Sequence, residues 1–199
     1  MTGEGKNVLI RIHAGIVRFN CSAADISVMF NIDIPFTVKK IPAKTVVGIS
    51  RRTSNADGRS IKDIPATWTD FLQQNGAAKI KNRAVPPTMY AVYSDYASDW
   101  MGEYAYMIGC GVTRAMTVPE GMEVRKIPAQ TYVVFNAKGQ MPDEVLAVWS
   151  QVWLSGLPRT YTYDFEVYDK RFTHPKQKEV DICIAVDPGK MKAAEHPAQ

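Results

Sequence analysis

Long apolar runs are missing from this chain of 199 residues; none approaches the roughly 18 residues a membrane helix needs. The opening MTGEGKNVLIRIH also lacks the ordered basic and apolar regions of a secretion signal. Cysteine is scarce: Cys21, Cys110 and Cys183 are an odd number at wide spacing, which offers no disulfide framework. Cys110 and Cys183 lie in apolar runs and read as small buried hydrophobes. These absences fit a soluble protein of the reducing cytoplasm, with no membrane contact. Histidine is equally thin, with His13, His174 and His196 far apart, and no His, Cys and carboxylate cluster has metal-ligand spacing. No phosphate-binding glycine loop and no G-x-S-x-G elbow occurs, so neither metal nor cofactor is expected. Positive charge is not concentrated either. The 24 Lys and Arg stand against 20 Asp and Glu, in clusters no longer than Lys39-Lys40 or Arg51-Arg52, which argues against direct nucleic-acid binding.

What is present is a core's worth of apolar residues, 46% of the chain, and a repeat. KKIPAKTVVGI, from Lys39 to Ile49, returns as RKIPAQTYVVF, from Arg125 to Phe135, at an offset of 125 − 39 = 86. A helix is expected after each echo. In IPATWTDFLQQNGA, Pro65 suits a first turn, Trp68, Phe71 and Leu72 recur at helical spacing, and Gly76 beside Asn75 ends the run. In MPDEVLAVWSQVWLSGLP, Pro142 opens a helix, Asp143 and Glu144 sit at its positive end, and Gly156 stops it. Val145, Val148, Trp149 and Val152 form its apolar stripe, with Trp153 beside it.

Two strands follow in each half: MYAVYSD and EYAYMIGCGV, then DFEVYDK and EVDICIAV. Val92-Tyr93 align with Val167-Tyr168 at an offset of 167 − 92 = 75, and Glu103 with Glu179 at 179 − 103 = 76. The glycines of GCGV mark a bulge or a close approach within a strand. A βαββ unit cannot bury both its helix and its sheet face alone, so two copies are expected to pair about a pseudo-twofold. The predicted fold is α+β, with tandem βαββ units, an antiparallel sheet, helices on one side and a pocket at the seam. This domain is expected over residues 36–186. Residues 187–199, without apolar period, read as a disordered tail. Residues 1–35 read as an extension whose NVLIRIHAGIVRF is an extra strand, or as a segment upstream of a natural start at Met29.

One residue breaks its local pattern. In YDFEVYD, Tyr163, Phe165 and Val167 face one way and Asp164, Glu166 and Tyr168 the other. The repeat puts Ala91 at the position of Glu166, and Tyr93 at that of Tyr168. A mid-strand carboxylate is either at a solvent edge or in a pocket, and burial without a partner would raise its pKa. The aromatics near the seam (Tyr90, Tyr93, Tyr104, Tyr106, Trp149, Trp153, Tyr161, Tyr163 and Tyr168) are either core or the wall of a site for flat or cationic guests.

The tandem unit, the (K/R)KIPA-x-T strand, the W-x-x-x-W helix with its Gly-Leu-Pro turn and the DFEVYD strand together resemble the GyrI-like small-molecule-binding family, also called the AraC-type effector-binding domain. The resemblance spans Phe36 to Val186. It implies a small-molecule pocket between the repeats with Glu166 at its floor. It implies walls that include Trp149, Trp153 and Tyr168, with Tyr93 and Tyr106 from the first half. Many members follow a helix-turn-helix module; the short flanks here make a stand-alone member the expectation. Stand-alone relatives sequester toxins or drugs, and some hydrolyse reactive electrophiles, so the resemblance leaves three expectations. The first is binding of a lipophilic, cationic or aromatic small molecule. The second is hydrolysis with Glu166 as the catalytic general base. The third is a protein-interaction role, for which no partner helix or charged arm is evident.

Overall fold

The structure, a computed structural model, describes residues 9–12, 15–18 and 32–195. His13, Cys21, Met29 and His196 lie outside the described residues. The N-terminal segment contributes two short strands where one was expected: β1 (Leu9–Ile12) and β2 (Gly15–Arg18), paired antiparallel in a sheet of their own.

Each echo is also two strands and not one. The first divides into β3 (Phe36–Ile41) and β4 (Lys44–Ser54), the second into β7 (Glu123–Ile127) and β8 (Gln130–Gly139). Pro42 and Pro128 stand at the breaks, where a residue without an N–H cannot continue a ladder. The later strands are β5 (Met89–Ser94) and β6 (Glu103–Val112) in the first half, β9 (Tyr163–Tyr168) and β10 (Lys178–Ala185) in the second. All eight form one sheet in the order β3-β8-β10-β9-β5-β6-β4-β7, with antiparallel neighbours.

That order reads the same from either end once the repeats are interchanged, and it contains an exchange. β3 pairs with β8 of the second repeat, and β7 with β4 of the first, in one common register. Val38 faces Val133; their counterparts 86 residues away (38 + 86 = 124, 133 − 86 = 47), Val124 and Val47, face each other. The centre of the sheet is the β5–β9 pair, where Ala91 opposes Glu166 and the pseudo-twofold passes between them. In the outer pair, Ile108 opposes Ala91 and Ile182 opposes Glu166, which sets the β6-to-β10 offset at 182 − 108 = 74 and not 76. The slip is even, so every side chain keeps its face.

Only Pro42 and Ala43 join β3, at one end of the sheet, to β4 near the other. Three Cα steps span about 11 Å at most, so the sheet curls enough to bring the end of β3 within that reach of the start of β4. Its inner face is filled by Val46, Val92, Met107, Ile127, Tyr132, Phe165 and Cys183. At the crowded β4–β6 contact, Gly48 faces Gly109; a Cβ on Gly109 would lie 2.2 Å from the Val47 carbonyl oxygen. The close-approach reading of GCGV therefore holds there.

The outer face carries the helices. α1 (Ser60–Gln73) starts before the predicted Pro65, which sits inside it. Phe71 is buried, whereas Leu72 is 60% exposed, on the solvent side of the stripe. Asn75 takes the positive φ of 51° after α1, and Gly76 opens α2 (Gly76–Lys79). Gly76 is needed for space: a Cβ there would lie 2.5 Å from the Phe71 ring. α3 (Asp143–Leu154) follows Pro142 as expected and buries Val145, Val148, Trp149 and Val152. The segment read as a disordered tail forms α4 (Pro188–Glu195). Asp187 Oδ1 accepts the Gly189 N–H at 2.8 Å and Pro188 takes the first turn, a start signal that the missing apolar period hid. Met191, 4% exposed, belongs to the buried core cluster. No helix among the described residues is long and apolar enough to cross a membrane.

Candidate functional site

The alternation on β9 puts Phe165 into the inner core and turns Asp164, Glu166 and Tyr168 to the helix-bearing face. Between α1, α3 and the centre of the sheet lies a cavity of about 600 Å³, within the range of drug-sized pockets. Glu166 lies at its floor, 2% exposed. Its cross-strand neighbour is Ala91, also fully buried.

Three neutral groups hold that carboxylate. Oε1 accepts the Tyr93 hydroxyl and the Trp149 indole N–H, each at 2.7 Å, and Oε2 accepts the Tyr168 hydroxyl at 2.5 Å. Tyr93 and Tyr168 are repeat counterparts, so the pseudo-twofold brings one hydroxyl to each oxygen. No ion pair reaches Glu166 among the described residues. Burial pushes its pKa above the usual carboxylate value, and the three donors pull it back part of the way. Burial, reinforced by the Glu166 charge, drives Tyr93, Tyr106 and Tyr168 well above the ordinary phenol value, so they remain protonated at neutral pH. Tyr104 is pushed up to about 12.

The walls are aromatic and interlocked. Tyr93 meets Tyr106 edge-on at 5.1 Å and Trp149 at 4.7 Å between ring centroids. Trp68 of α1 stands edge-on to Tyr168 at 4.9 Å. Trp153 stacks on Trp100 at 5.5 Å with an interplanar angle of 15°. All six residues singled out from the sequence, namely Glu166, Tyr168, Trp149, Trp153, Tyr93 and Tyr106, line this one cavity.

Among the lining residues that were not singled out are Arg159, Tyr96 and Trp100. All three stand in loops, where no strand or helix period marks a side chain's direction. Arg159 was still within sight, directly after the Gly-Leu-Pro turn. Its Nη2 pairs with Asp164 Oδ2 at 2.7 Å, both side chains being almost fully buried (3% and 0% exposed). Asp164 also accepts the Tyr96 hydroxyl and the Ala185 N–H, each at 2.8 Å. Among the described residues no group of three His, Cys, Asp or Glu could hold a metal ion.

Relatives point the same way. Over 153 residues the chain is 29% identical to the protein YobU of Bacillus subtilis (strain 168), covering 75% of this chain and 96% of that one. Over 151 residues it is 32% identical to the transcriptional regulator BrlR of Pseudomonas aeruginosa PAO1, covering 73% of this chain but only 53% of BrlR. Among solved structures, the Vibrio cholerae integron cassette protein VCH_CASS2 superposes with a TM-score of 0.61 at 29% identity, over 76% of this chain and 95% of that one. The protein SAV2435, solved with bound tetraphenylphosphonium, superposes at 0.67 with 17% identity, over 82% of this chain and 100% of that one. Residues 37–186 match the Cass2 family, described as integron-associated effector binding protein, and so the chain belongs to that family and has the GyrI-like effector-binding fold.

Proposed function

We propose that residues 36–186 bind lipophilic aromatic cations in the seam cavity and that the protein senses or sequesters such compounds. The observation that carries the reading is Glu166: one carboxylate, buried at the floor of an aromatic cavity, held by three neutral donors and, among the described residues, paired with no protein cation. Such a site lacks one positive charge, and a guest that supplies it gains both the Coulombic attraction and contacts with the ring faces. The tetraphenylphosphonium held by SAV2435 is a ligand of this class. BrlR, a transcriptional regulator about half of which aligns with this chain, supports a sensing role for the unit.

The test is a tryptophan-quenching titration with tetraphenylphosphonium and with neutral triphenylphosphine oxide, on the wild type and on Glu166→Gln. Glutamine fits the same hydrogen-bond set: its oxygen still takes Tyr93 and Trp149, and its NH₂ donates to the Tyr168 oxygen. The cation should weaken about 30-fold or more, from the roughly 2 kcal/mol lost when a buried charge partner is removed, and the neutral probe about twofold at most. Equal losses for the two probes would overturn the reading.

A hydrolytic role has one observation in its favour, the basicity that burial lends Glu166. Three accepted hydrogen bonds oppose it, since each stabilises the carboxylate as it stands. Retained electrophile hydrolysis in Glu166→Gln would exclude Glu166 as a base.

A further inference from the structure

The cavity has a second pole. The Arg159 guanidinium lines it, with a side chain 3% exposed, yet only Nη2 is paired. Nε and Nη1 find no hydrogen-bond partner among the described residues. They carry three of the group's five N–H donors. Asp164 meets the guanidinium at Nη2 alone, while its two oxygens also accept from Tyr96 and the Ala185 backbone. The guanidinium is held in place by rings: its central carbon lies 4.4 Å from the Tyr161 centroid, 5.9 Å from Tyr96 and 6.0 Å from Trp149. Trp149 thus touches both poles, since its indole N–H is committed to Glu166.

Buried donors left without acceptors are costly and rare in folded proteins. A bound molecule with an oxygen acceptor would satisfy part of that set, and a charged oxygen would do so best because charge-assisted hydrogen bonds are the stronger kind. From this geometry we infer that the ligand is bipolar: an aromatic cation that also bears a carboxylate or carbonyl oxygen, its positive centre at Glu166 and its oxygen on a free donor of Arg159, at Nε or at Nη1. The inference rests on the cation-binding reading of the same cavity and narrows it.

Two dyes with the same xanthylium cation separate the poles: rhodamine B, with a carboxyphenyl group, and pyronin B, without one. The measured quantity is the ratio of their dissociation constants in the wild type, in Arg159→Lys and in Arg159→Gln, with thermal unfolding of each variant alongside. Lysine keeps a cation for Asp164 but removes the planar set of free donors. Rhodamine B should bind the wild type about tenfold or more tightly than pyronin B. Arg159→Lys should collapse the rhodamine-to-pyronin preference about tenfold while both dyes still respond to Glu166→Gln. If Arg159→Lys fails to fold, the same collapse is read in Arg159→Gln. An unchanged ratio, with pyronin B still dependent on Glu166, overturns this inference and leaves the cation-binding reading standing. Binding of neither dye to the wild type overturns both. Binding of rhodamine B that depends on Arg159 and ignores Glu166 keeps the acceptor pole and removes the cationic one, which overturns the bipolar ligand.

Discussion

Asp164 and Glu166 stand two residues apart on one strand, face the same way and are both almost completely buried, at 0% and 2% exposure. They differ in what neutralises them. Asp164 has an arginine, a tyrosine and a backbone N–H, so its charge is cancelled within the protein. Glu166 has two tyrosines and a tryptophan, all neutral donors that stabilise the carboxylate without cancelling it. Burial alone therefore does not distinguish the two acids. The difference is that Glu166 has a satisfied hydrogen-bond shell around an uncancelled charge.

The sharpest way to break this comparison is to remove the cancelled acid. Asp164→Ala should cost about 3–5 kcal/mol in urea unfolding, because it leaves Arg159 buried without its counter-ion. A loss under about 1 kcal/mol would mean that the pair is not structural. Glu166→Gln should behave in the opposite manner, with the large loss confined to cation affinity. It should even gain stability relative to the wild type as pH rises. The native Glu166 pKa lies above its unfolded value, so between the two the folded wild type holds a proton that the unfolded chain has released. Wild-type stability falls with rising pH across that window, which begins near the usual carboxylate value, and levels off above the native pKa. The glutamine variant lacks that slope, and pH-dependent denaturation of the two proteins checks it. Cation affinity in the wild type should run the other way, lost as pH falls through the same raised value.

Smaller effects separate the two oxygens of Glu166. Tyr168→Phe should cost about 1–2 kcal/mol, since Oε2 loses its one donor, and should move the midpoint of cation binding to higher pH. Tyr93→Phe should cost less, about 0.5–1 kcal/mol, because Trp149 still serves Oε1. Equal shifts in the two variants would show that the oxygens are not distinguished.

The parts of this arrangement that were legible in the sequence were those carried by period. The echo at Lys39 and Arg125 announced the duplication, and the two-residue alternation of YDFEVYD singled out Glu166 and turned Tyr168 with it. The helix stripe from Val145 to Val152 brought Trp149 to the same side. What escaped notice was carried by loops or by pairing between distant segments. Nothing local to KKIPAKTVVGI reveals that β3 leaves its own repeat for β8, because each proline break reads equally well as a bend within one strand. Arg159, Tyr96 and Trp100 owe their directions to turns. Met191 is buried from a segment whose sequence shows no apolar period.

The exchange of β3 and β7 and the Ala91–Glu166 pair on the pseudo-twofold have a joint consequence for how such a site can arise. One ββαββ copy alone would leave its partner's outer strands unpaired, and would find them in a second copy of itself. In that symmetric dimer the residue on the axis would be the same in both chains, giving either two facing acids that repel or none at all. Fusion into a single gene frees the two copies to diverge. One position on the axis can then keep an acid while the other shrinks to a methyl group, so the lone carboxylate on that axis is something a dimer of identical chains cannot write.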